Sequence, residues 1–383
     1  MAGTSYIEID RSSLIHNLQF LQHYFGEGVK ISSVIKANAY GHGIEEFVPI
    51  AEETGINHFS VFSGDEAQRV YEIKKASTDI MVMGWMSHEE IEWAVINGVE
   101  FFVFEEDKLE EALRCAKKHD KPAKIHIEVE TGMNRTGFIK KDLQRVVKII
   151  NDNQEHFIVK GLCTHYAGAE SIANHVRVQK QIKKYNRLYN WIVNRGIVPE
   201  LRHTACSAAA MTYPRTRMDM VRIGILQYGF WPSPETFIHF IHKRMEKSDV
   251  LKRVLNWKSQ VMSIKKVGSG EFVSYGTNYM AIEEKRIAIV PVGYSHGYSR
   301  SLSNQGRVLI DGQRVPVVGI VNMNMLIADV SLIPDVRKGD EVVLIGEQGG
   351  AKITLASFAD FNNQLNYELL ARLPLNTPRK VIN

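Results

Sequence analysis

A handful of residues in this 383-residue chain could do chemistry together if the fold gathers them. Lys36 ends a short β-branched run and is followed at once by the glycine-containing loop ANAYGHG. Glu128 ends another run and leads into TGMNR, with Arg135 seven residues on. His165 ends a third, Ser207 follows a fourth, and a fifth carries Arg222, Gly224 and Ile225. A lysine, a histidine, two arginines and a Ser/Gly pair are neither a carboxylate cluster for a metal nor a Ser-His-Asp set. They fit a lysine nucleophile beside a cradle for a phosphate. A lone lysine of this kind usually reads as a rim residue paired with Asp or Glu. An unpaired buried ammonium, by contrast, tends to lose its proton.

The elements that must position these residues alternate regularly up to about residue 230. Eight short runs recur: ISSVIK (31–36), HFSVFS (58–63), DIMVMG (79–84), EFFVFE (100–105), AKIHIEV (123–129), IVKGLCTH (158–165), LRHTA (201–205) and MVRIGIL (220–226). Helical stretches separate them. Ser63 and Ser87 each precede a Glu by three residues (Glu66, Glu90), the capping-box spacing. Gly55, Gly98 and Gly196 stand where helices should stop. A helix after Ser171 spaces Val178, Ile182, Tyr185, Tyr189 and Ile192 at steps of three and four. Near-continuous apolar strands alternating with helices predict a parallel sheet covered by helices. Eight such units predict a (β/α)8 barrel, with Pro49 inside the first helix a mild objection. In a barrel the active residues gather at the C-terminal rim, and the last two loops often bind phosphate. A lysine nucleophile there, beside Ser207 and the Gly224 and Ile225 amides, suggests a Schiff base with pyridoxal phosphate.

Past residue 232 the character changes. Phe237, Ile241 and Met245 at four-residue steps after Ser233-Pro234 predict a helix, and the basic stretch 243–253 reads as a solvated helix face. Short strands follow: an alternating stretch over Trp257–Val267, RIAIVPVG (286–293), a hairpin over Arg307–Val318 turning at Asp311-Gly312, MLIADVS (325–331) and EVVLIG (341–346). The expected division is a barrel over 1–232 and a mainly β domain over 233–383, with the first ten or so residues candidates to pack with the latter.

Composition agrees with an ordinary globular protein. Apolar residues are 44% and charged residues 23%, and the net charge of +4 gives no case for nucleic acid or a membrane surface. No apolar run reaches the ~18 residues of a membrane span. The three cysteines (Cys115, Cys163, Cys206) are odd in number and far apart, which fits neither a disulfide framework nor a zinc site. A reduced, cytoplasmic, two-domain protein with no metal is expected.

The segment VIKANAYGHG resembles the pyridoxal-phosphate signature of alanine racemases. The resemblance continues, in order, through TGMNRTG (131–137), THYA (164–167), HTACSA (203–208), VRIGILQYG (221–229), VSYG (273–276), GYSHGY (293–298) and GIVNMN (319–324). It implies that Lys36 carries the cofactor and acts as one base, and that Tyr275, reaching in from the partner subunit of a homodimer with shared active sites, is the other. It implies that Tyr40, Ser207, Gly224 and Ile225 hold the phosphate, that His165 packs on the ring and that Arg222 faces the pyridine nitrogen. Arg135 and Met323 would touch substrate, with Tyr294 and Arg300 lining the entrance. Each alone reads more plainly: Tyr275 as a half-buried packing residue, Ser207 as a helix cap, Met323 as core.

Racemisation between L- and D-alanine takes a proton from one face of Cα and returns one to the other, so two opposed bases suit it. Lysine and tyrosine both start near pKa ~10 and must come down to serve at neutral pH. Burial lowers a lysine but raises a tyrosine, so Tyr275 needs positive charge nearby, with His165 and Arg222 as candidates. Arg222 effectively never gives up its proton; it would leave the pyridine nitrogen unprotonated and suppress transamination.

The sequence departs from the family at four places. Glu128 stands where some members carry a carbamylated lysine, and could offer Arg135 a permanent carboxylate. Asn324 follows Met323 in place of an aspartate, Leu375 replaces an inner-gate tyrosine, and Cys206 replaces an asparagine. These changes leave the reaction type intact and open the substrate range to serine or longer side chains. Two rival readings are weaker. A fold-related decarboxylase would use a cysteine base and a triple-glycine loop, but no cysteine follows Cys206 and no such triplet occurs. A non-catalytic pyridoxal-phosphate carrier would not need the second domain.

Overall fold

The computed structural model describes residues 3–383 apart from 243, 246, 356 and 359–365. The chain divides into two compact units. The larger takes Ser13–Ala37 and Phe47–Lys252; the smaller takes Met1–Ser12, Asn38–Glu46 and Arg253–Asn383.

The first strand, β1 (Ser5–Asp10), belongs to the smaller unit. The larger unit is built on β2 (Lys30–Val34), β3 (His58–Val61), β4 (Asp79–Val82), β5 (Glu100–Val103), β6 (Ala123–Glu128), β7 (Phe157–Cys163), β8 (Leu201–His203) and β9 (Met220–Ile223). They pair in parallel in the order β8-β7-β6-β5-β4-β3-β2-β9. The seam between β8 and β9 is joined by Asp219 N–H to the Arg202 carbonyl (3.2 Å) and Arg222 N–H to the Ala205 carbonyl (2.9 Å). The result is the expected eight-stranded (β/α)8 TIM-type barrel. Its strands are buried on both faces, as in β3 and β5, where every residue is covered. Each expected run outlasts its strand by one to three residues, and Lys36 and His165 stand in that surplus.

The helix signals hold unevenly. At Ser87 the capping box is complete, with Glu90 N–H donating to Ser87 Oγ (3.2 Å) and Ser87 N–H to Glu90 Oε2 (2.7 Å). At Ser63 it is not: Glu66 Oε2 reaches one residue further back and accepts from Phe62 N–H (3.0 Å). The helix His175–Val193 buries Val178, Ile182, Tyr185 and Ile192 as spaced. The helix Pro234–His242 does not bury its expected stripe. Its covered residues are Thr236 and Phe240, because Phe240 packs on Trp231, Tyr24 and Phe20 at 4.7, 5.7 and 5.8 Å between ring centres. Met245 lies beyond the helix and is fully exposed. The described part of 243–253 carries no helix, so the reading as a solvated helix face is corrected to a mostly exposed coil that buries Leu251; residues 243 and 246 lie outside the described set.

The smaller unit is mainly β. It adds β10 (Leu255–Gln260), β11 (Ser263–Val267), β12 (Lys285–Val290), β13 (Arg307–Ile310), β14 (Gln313–Pro316), β15 (Leu326–Asp329), β16 (Glu341–Gln348), β17 (Ala351–Ile353) and β18 (Arg379–Ile382). One sheet runs β14-β13-β16-β10-β1-β18 with β17 on β16, and a second runs β11-β12-β15. The expected single run over Trp257–Val267 is therefore two strands in two sheets. The hairpin at Asp311-Gly312 forms as read: φ is +50° and +70° at the two turn residues and Ile310 pairs with Gln313. Two successive left-handed residues give the turn the twist its strands need.

Candidate active site

In the larger unit Lys36 lies two residues past the end of β2. No hydrogen bond or ion pair holds its ammonium among the described residues. Burial first, and the charges of Arg135 and Arg222 with it, push its pKa down against a weaker opposing pull from Glu66. This is the condition a neutral, reactive amine requires.

Arg222 sits on β9, 5% exposed, and is held from three sides. Its Nη1 donates to His203 Nδ1 and to the His203 carbonyl, both at 2.6 Å, and its Nη2 donates to the Thr164 carbonyl at 2.8 Å. Ser207 opens the short helix Ser207–Thr212, but the cap position is Cys206, so its hydroxyl is not a cap. It instead accepts from Gly224 N–H at 3.0 Å. Ile225 heads the 3-10 turn Ile225–Tyr228, where a first-turn amide has no partner within its own turn. The expected cradle residues Ser207, Gly224 and Ile225 are thus neighbours. An unpaired amine, a hydroxyl and turn amides fit the lysine linkage and phosphate of pyridoxal phosphate.

One expectation needs correction and another is sharpened. His165 is held uncharged: burial first, then Arg222, Arg135 and Lys36, push its pKa down to about 3. It cannot lend positive charge to a tyrosine at neutral pH, which leaves Arg222 of the two candidates. Glu128 makes no ion pair with Arg135, which is exposed. Glu128 accepts from Thr136 Oγ1 at 2.8 Å, and burial raises its pKa despite Thr136 and the nearby arginines.

The residues after Lys36 form a turn that the sequence did not announce. Ala37, Asn38, Ala39 and Tyr40 all have φ between +50° and +54°, a left-handed helical turn of non-glycine residues. Such a conformation costs roughly 1–2 kcal/mol per residue. Within the smaller unit it is braced by Gly43 N–H to the Asn38 carbonyl (3.0 Å) and by Ile44 N–H to Asn38 Oδ1 (3.2 Å). His42 Nδ1–H adds bonds to the Ala39 and Tyr40 carbonyls (3.0 and 2.9 Å), and Arg379 donates twice to the Gly41 carbonyl at 3.0 Å. Tyr40 itself is buried against Tyr367.

Burial lowers the His42 pKa from 6.5 to about 4, against its bonds to Tyr40 and Ala39. The unfolded chain therefore takes up this proton first as pH falls. Stability from this group is complete above pH 6.5 and is lost between there and about 4, by at most ~1.4 kcal/mol per pH unit. Urea unfolding across that window should show a shallower loss in His42→Gln than in the parent chain. Equal slopes would contradict this account of the turn.

The remaining candidates gather in the smaller unit. Ser274, in the left-handed region at φ +70°, donates to the Ile320 carbonyl (2.7 Å) and to Asn322 Oδ1 (3.0 Å). This ties the VSYG segment to GIVNMN and leaves Tyr275 71% exposed. Tyr294 N–H donates to the Asn322 carbonyl (3.1 Å), and Ser295 bonds to the Met323 carbonyl and Asn324 Oδ1 (2.8 and 2.7 Å). Tyr275, Tyr294, Met323 and Asn324 thus sit on interlocked segments, with both tyrosines and Met323 exposed. Arg300 and Leu375 are exposed too, and the Leu375 carbonyl accepts from Arg379 (2.9 Å).

Sequence reasoning passed over His203, His126, Glu100 and His58. All four are buried inside strand runs. For Glu100 and His126 the signal was polarity between apolar neighbours; His203 and His58 have polar neighbours and gave none.

A barrel with a lysine amine past its first strand and a hydroxyl-amide cradle on its last two loops, in a chain that also carries a mainly β unit, defines the barrel class of pyridoxal-phosphate enzymes. Residues 9–232 match the model of the alanine racemase N-terminal domain and residues 254–381 that of the C-terminal domain. The alanine racemase of Halothermothrix orenii is 35% identical over 99% of this chain and 97% of that protein. That of Methanococcus maripaludis is 33% identical over 97% of both. Among solved structures, alanine racemase from Bacillus anthracis with bound L-Ala-P superposes with a TM-score of 0.91 at 30% identity, covering 100% of this chain and 96% of that one. Alanine racemase from Bartonella henselae with covalently bound pyridoxal phosphate gives 0.83 at 26% identity, covering 99% and 100%. The chain belongs to the alanine racemase family: it is a pyridoxal-phosphate-dependent isomerase interconverting L- and D-alanine. No helix among the described residues is long and apolar enough to cross a membrane.

Proposed function

We propose that Lys36 and Tyr275 are the two opposed bases of this racemisation, with Tyr275 supplied by the partner subunit of a homodimer. The observation that carries the proposal is the state of Lys36: an amine with no acid partner among the described residues, held below its ordinary pKa by burial and two arginines. Tyr275 stands exposed on a segment whose preceding residue is held in a left-handed conformation, which suits a side chain presented to another chain.

When bound, pyridoxal phosphate supplies the electron withdrawal that makes the α-proton of an amino acid removable. Lys36 would hold it covalently, and Tyr40, Ser207 and the Gly224 and Ile225 amides would hold its phosphate. His165, neutral, would pack on the ring, while Arg222 would keep a fixed positive charge at the pyridine nitrogen. Arg135 and Met323 would fix the substrate, with Glu128 behind Arg135. Tyr294, Arg300, Asn324 and Leu375 would shape the entrance. In this division residues 1–232 would bind the cofactor and residues 233–383 would supply the second base. Supply of D-alanine for cell-wall precursors in the cytoplasm is the role that fits.

Leu375 and Asn324 make the entrance less polar than a tyrosine and an aspartate would. Incubating the holoenzyme with single L-amino acids and resolving the products on a chiral column tests the substrate. D-alanine should form fastest, with slower turnover of serine. Equal rates for long side chains would move the assignment to a broad-range racemase.

A further inference from the structure

Beneath the Arg222 guanidinium, the barrel interior holds a chain of polar groups that the reaction as described does not use. It joins Arg222 on β9 to His203 on β8, His126 on β6, Glu100 on β5, His58 on β3 and Ser32 on β2. Exposure is 5% at Arg222, 1% at Glu100 and zero at the rest. His203 Nε2 meets His126 Nδ1 at 2.8 Å, and His126 Nε2 meets Glu100 Oε2 at 2.8 Å. His58 Nε2 meets the same oxygen at 3.1 Å, and its Nδ1 meets Ser32 Oγ at 2.8 Å. These are hydrogen-bond distances between facing atoms.

Donor-acceptor logic allows one arrangement of protons. Arginine only donates, so His203 Nδ1, at 2.6 Å from Nη1, must present its lone pair. A neutral His203 then carries its proton on Nε2 and donates to His126 Nδ1. His126 in turn carries its proton on Nε2 and donates to Glu100. An ionised carboxylate can only accept, so Glu100 forbids the reverse order, which would set an N–H of His203 against an N–H of Arg222. We infer that Glu100 is a positioning residue for Arg222, acting through the tautomers of His126 and His203.

The backbone is shaped for this contact. The β6–β7 register shifts between Ile125 and His126, from Ile125 opposite Val159 to His126 opposite Gly161. A bulge of this kind re-aims a side chain. At Gly161 a Cβ would lie 2.3 Å from His126 Nδ1 and 2.6 Å from His203 Nε2, so only glycine leaves room for the two rings to meet. Burial drives both histidines toward their neutral forms. Burial opposes ionisation of Glu100, but the bonds from His126 and His58 prevail and hold it ionised. The chain thus links the buried carboxylate of Glu100, whose other oxygen lies 3.9 Å from Lys160 Nζ, to the buried guanidinium of Arg222 through neutral imidazoles.

The effect on catalysis rests on the proposed place of Arg222 at the pyridine nitrogen; the tautomer order does not. Holoenzyme carrying 15N-labelled histidine should show His126 and His203 protonated on Nε2 alone at neutral pH. A proton on His203 Nδ1 would overturn the inference, whatever any variant does. In Glu100→Gln, the amide can donate as well as accept, so the reverse order becomes available wherever the Arg222–His203 contact opens, and His203 should become a mixture of tautomers. Turnover should fall about 10-fold, the scale of losses when a supporting hydrogen bond is removed, with KM for alanine unchanged. Gly161→Ala should give the same signature with Glu100 intact. Lost turnover with wild-type tautomers in both variants would reduce the chain to a structural role and refute the inference. Arg222→Lys separates the two claims: an unchanged ratio of transamination to racemisation would sink the placement of Arg222 while leaving the tautomer result standing.

Discussion

Lys36→Ala protein, purified in the presence of pyridoxal phosphate, will lack the visible absorbance of lysine-bound cofactor and will lose racemisation by at least about 10³-fold. The loss combines a missing covalent anchor with a missing base, and a positioned base alone contributes about 10²–10⁴-fold. Lys36 pairs with no acid among the described residues, so its removal breaks no ion pair. The fold should survive, and the far-ultraviolet circular dichroism should match the parent. A retained absorbance band would mean that another lysine carries the cofactor.

Tyr275→Phe keeps the ring and removes the hydroxyl at a position that is 71% exposed, where stability should change by no more than ~0.5 kcal/mol. Its effect should be one-sided. In deuterated water, exchange of the α-proton should fall by about 10²–10⁴-fold from one alanine enantiomer and far less from the other, because Lys36 still serves its own face. Equal losses from both enantiomers would count against opposed bases. If the bases come from different subunits, mixing Lys36→Ala and Tyr275→Phe chains should restore activity, since a hybrid dimer contains one intact site. No recovery on mixing would place both bases on one chain.

The barrel was legible because strands buried on both faces are nearly continuous apolar runs, and all eight such runs became strands. Its rim was legible for the same reason: a lysine or histidine that ends an apolar run must stand where the strand gives way to its loop. What escaped has physical causes. Alanine, asparagine and tyrosine carry no local sign of a left-handed turn, and alanine is the best right-handed helix former; the turn after Lys36 is imposed by His42, Asn38 and Arg379. The strand β18 owes its place to β1, some 370 residues back along the chain, and its run RKVI alone carries no strong signal. The face of the 234–242 helix was misread because Phe240 finds three aromatic neighbours that spacing alone cannot reveal. Glu128 feels the charge of Arg135, as its place in the sequence suggested, but its hydrogen bond goes to Thr136, which stands beside Arg135 and reaches the carboxylate with a hydroxyl. Each buried histidine of the barrel looked like an ordinary core residue until the structure set them in one line.

The central claim is that two groups on opposite faces of Cα exchange protons with solvent as L-alanine becomes D-alanine. It is tested most directly by following the wild-type holoenzyme with L-alanine in deuterated water through its first turnovers. D-alanine should carry deuterium at Cα from the outset, because the proton returned is not the proton taken. D-alanine that keeps the original α-hydrogen would show a single base carrying it from face to face, and would contradict the pairing of Lys36 with Tyr275.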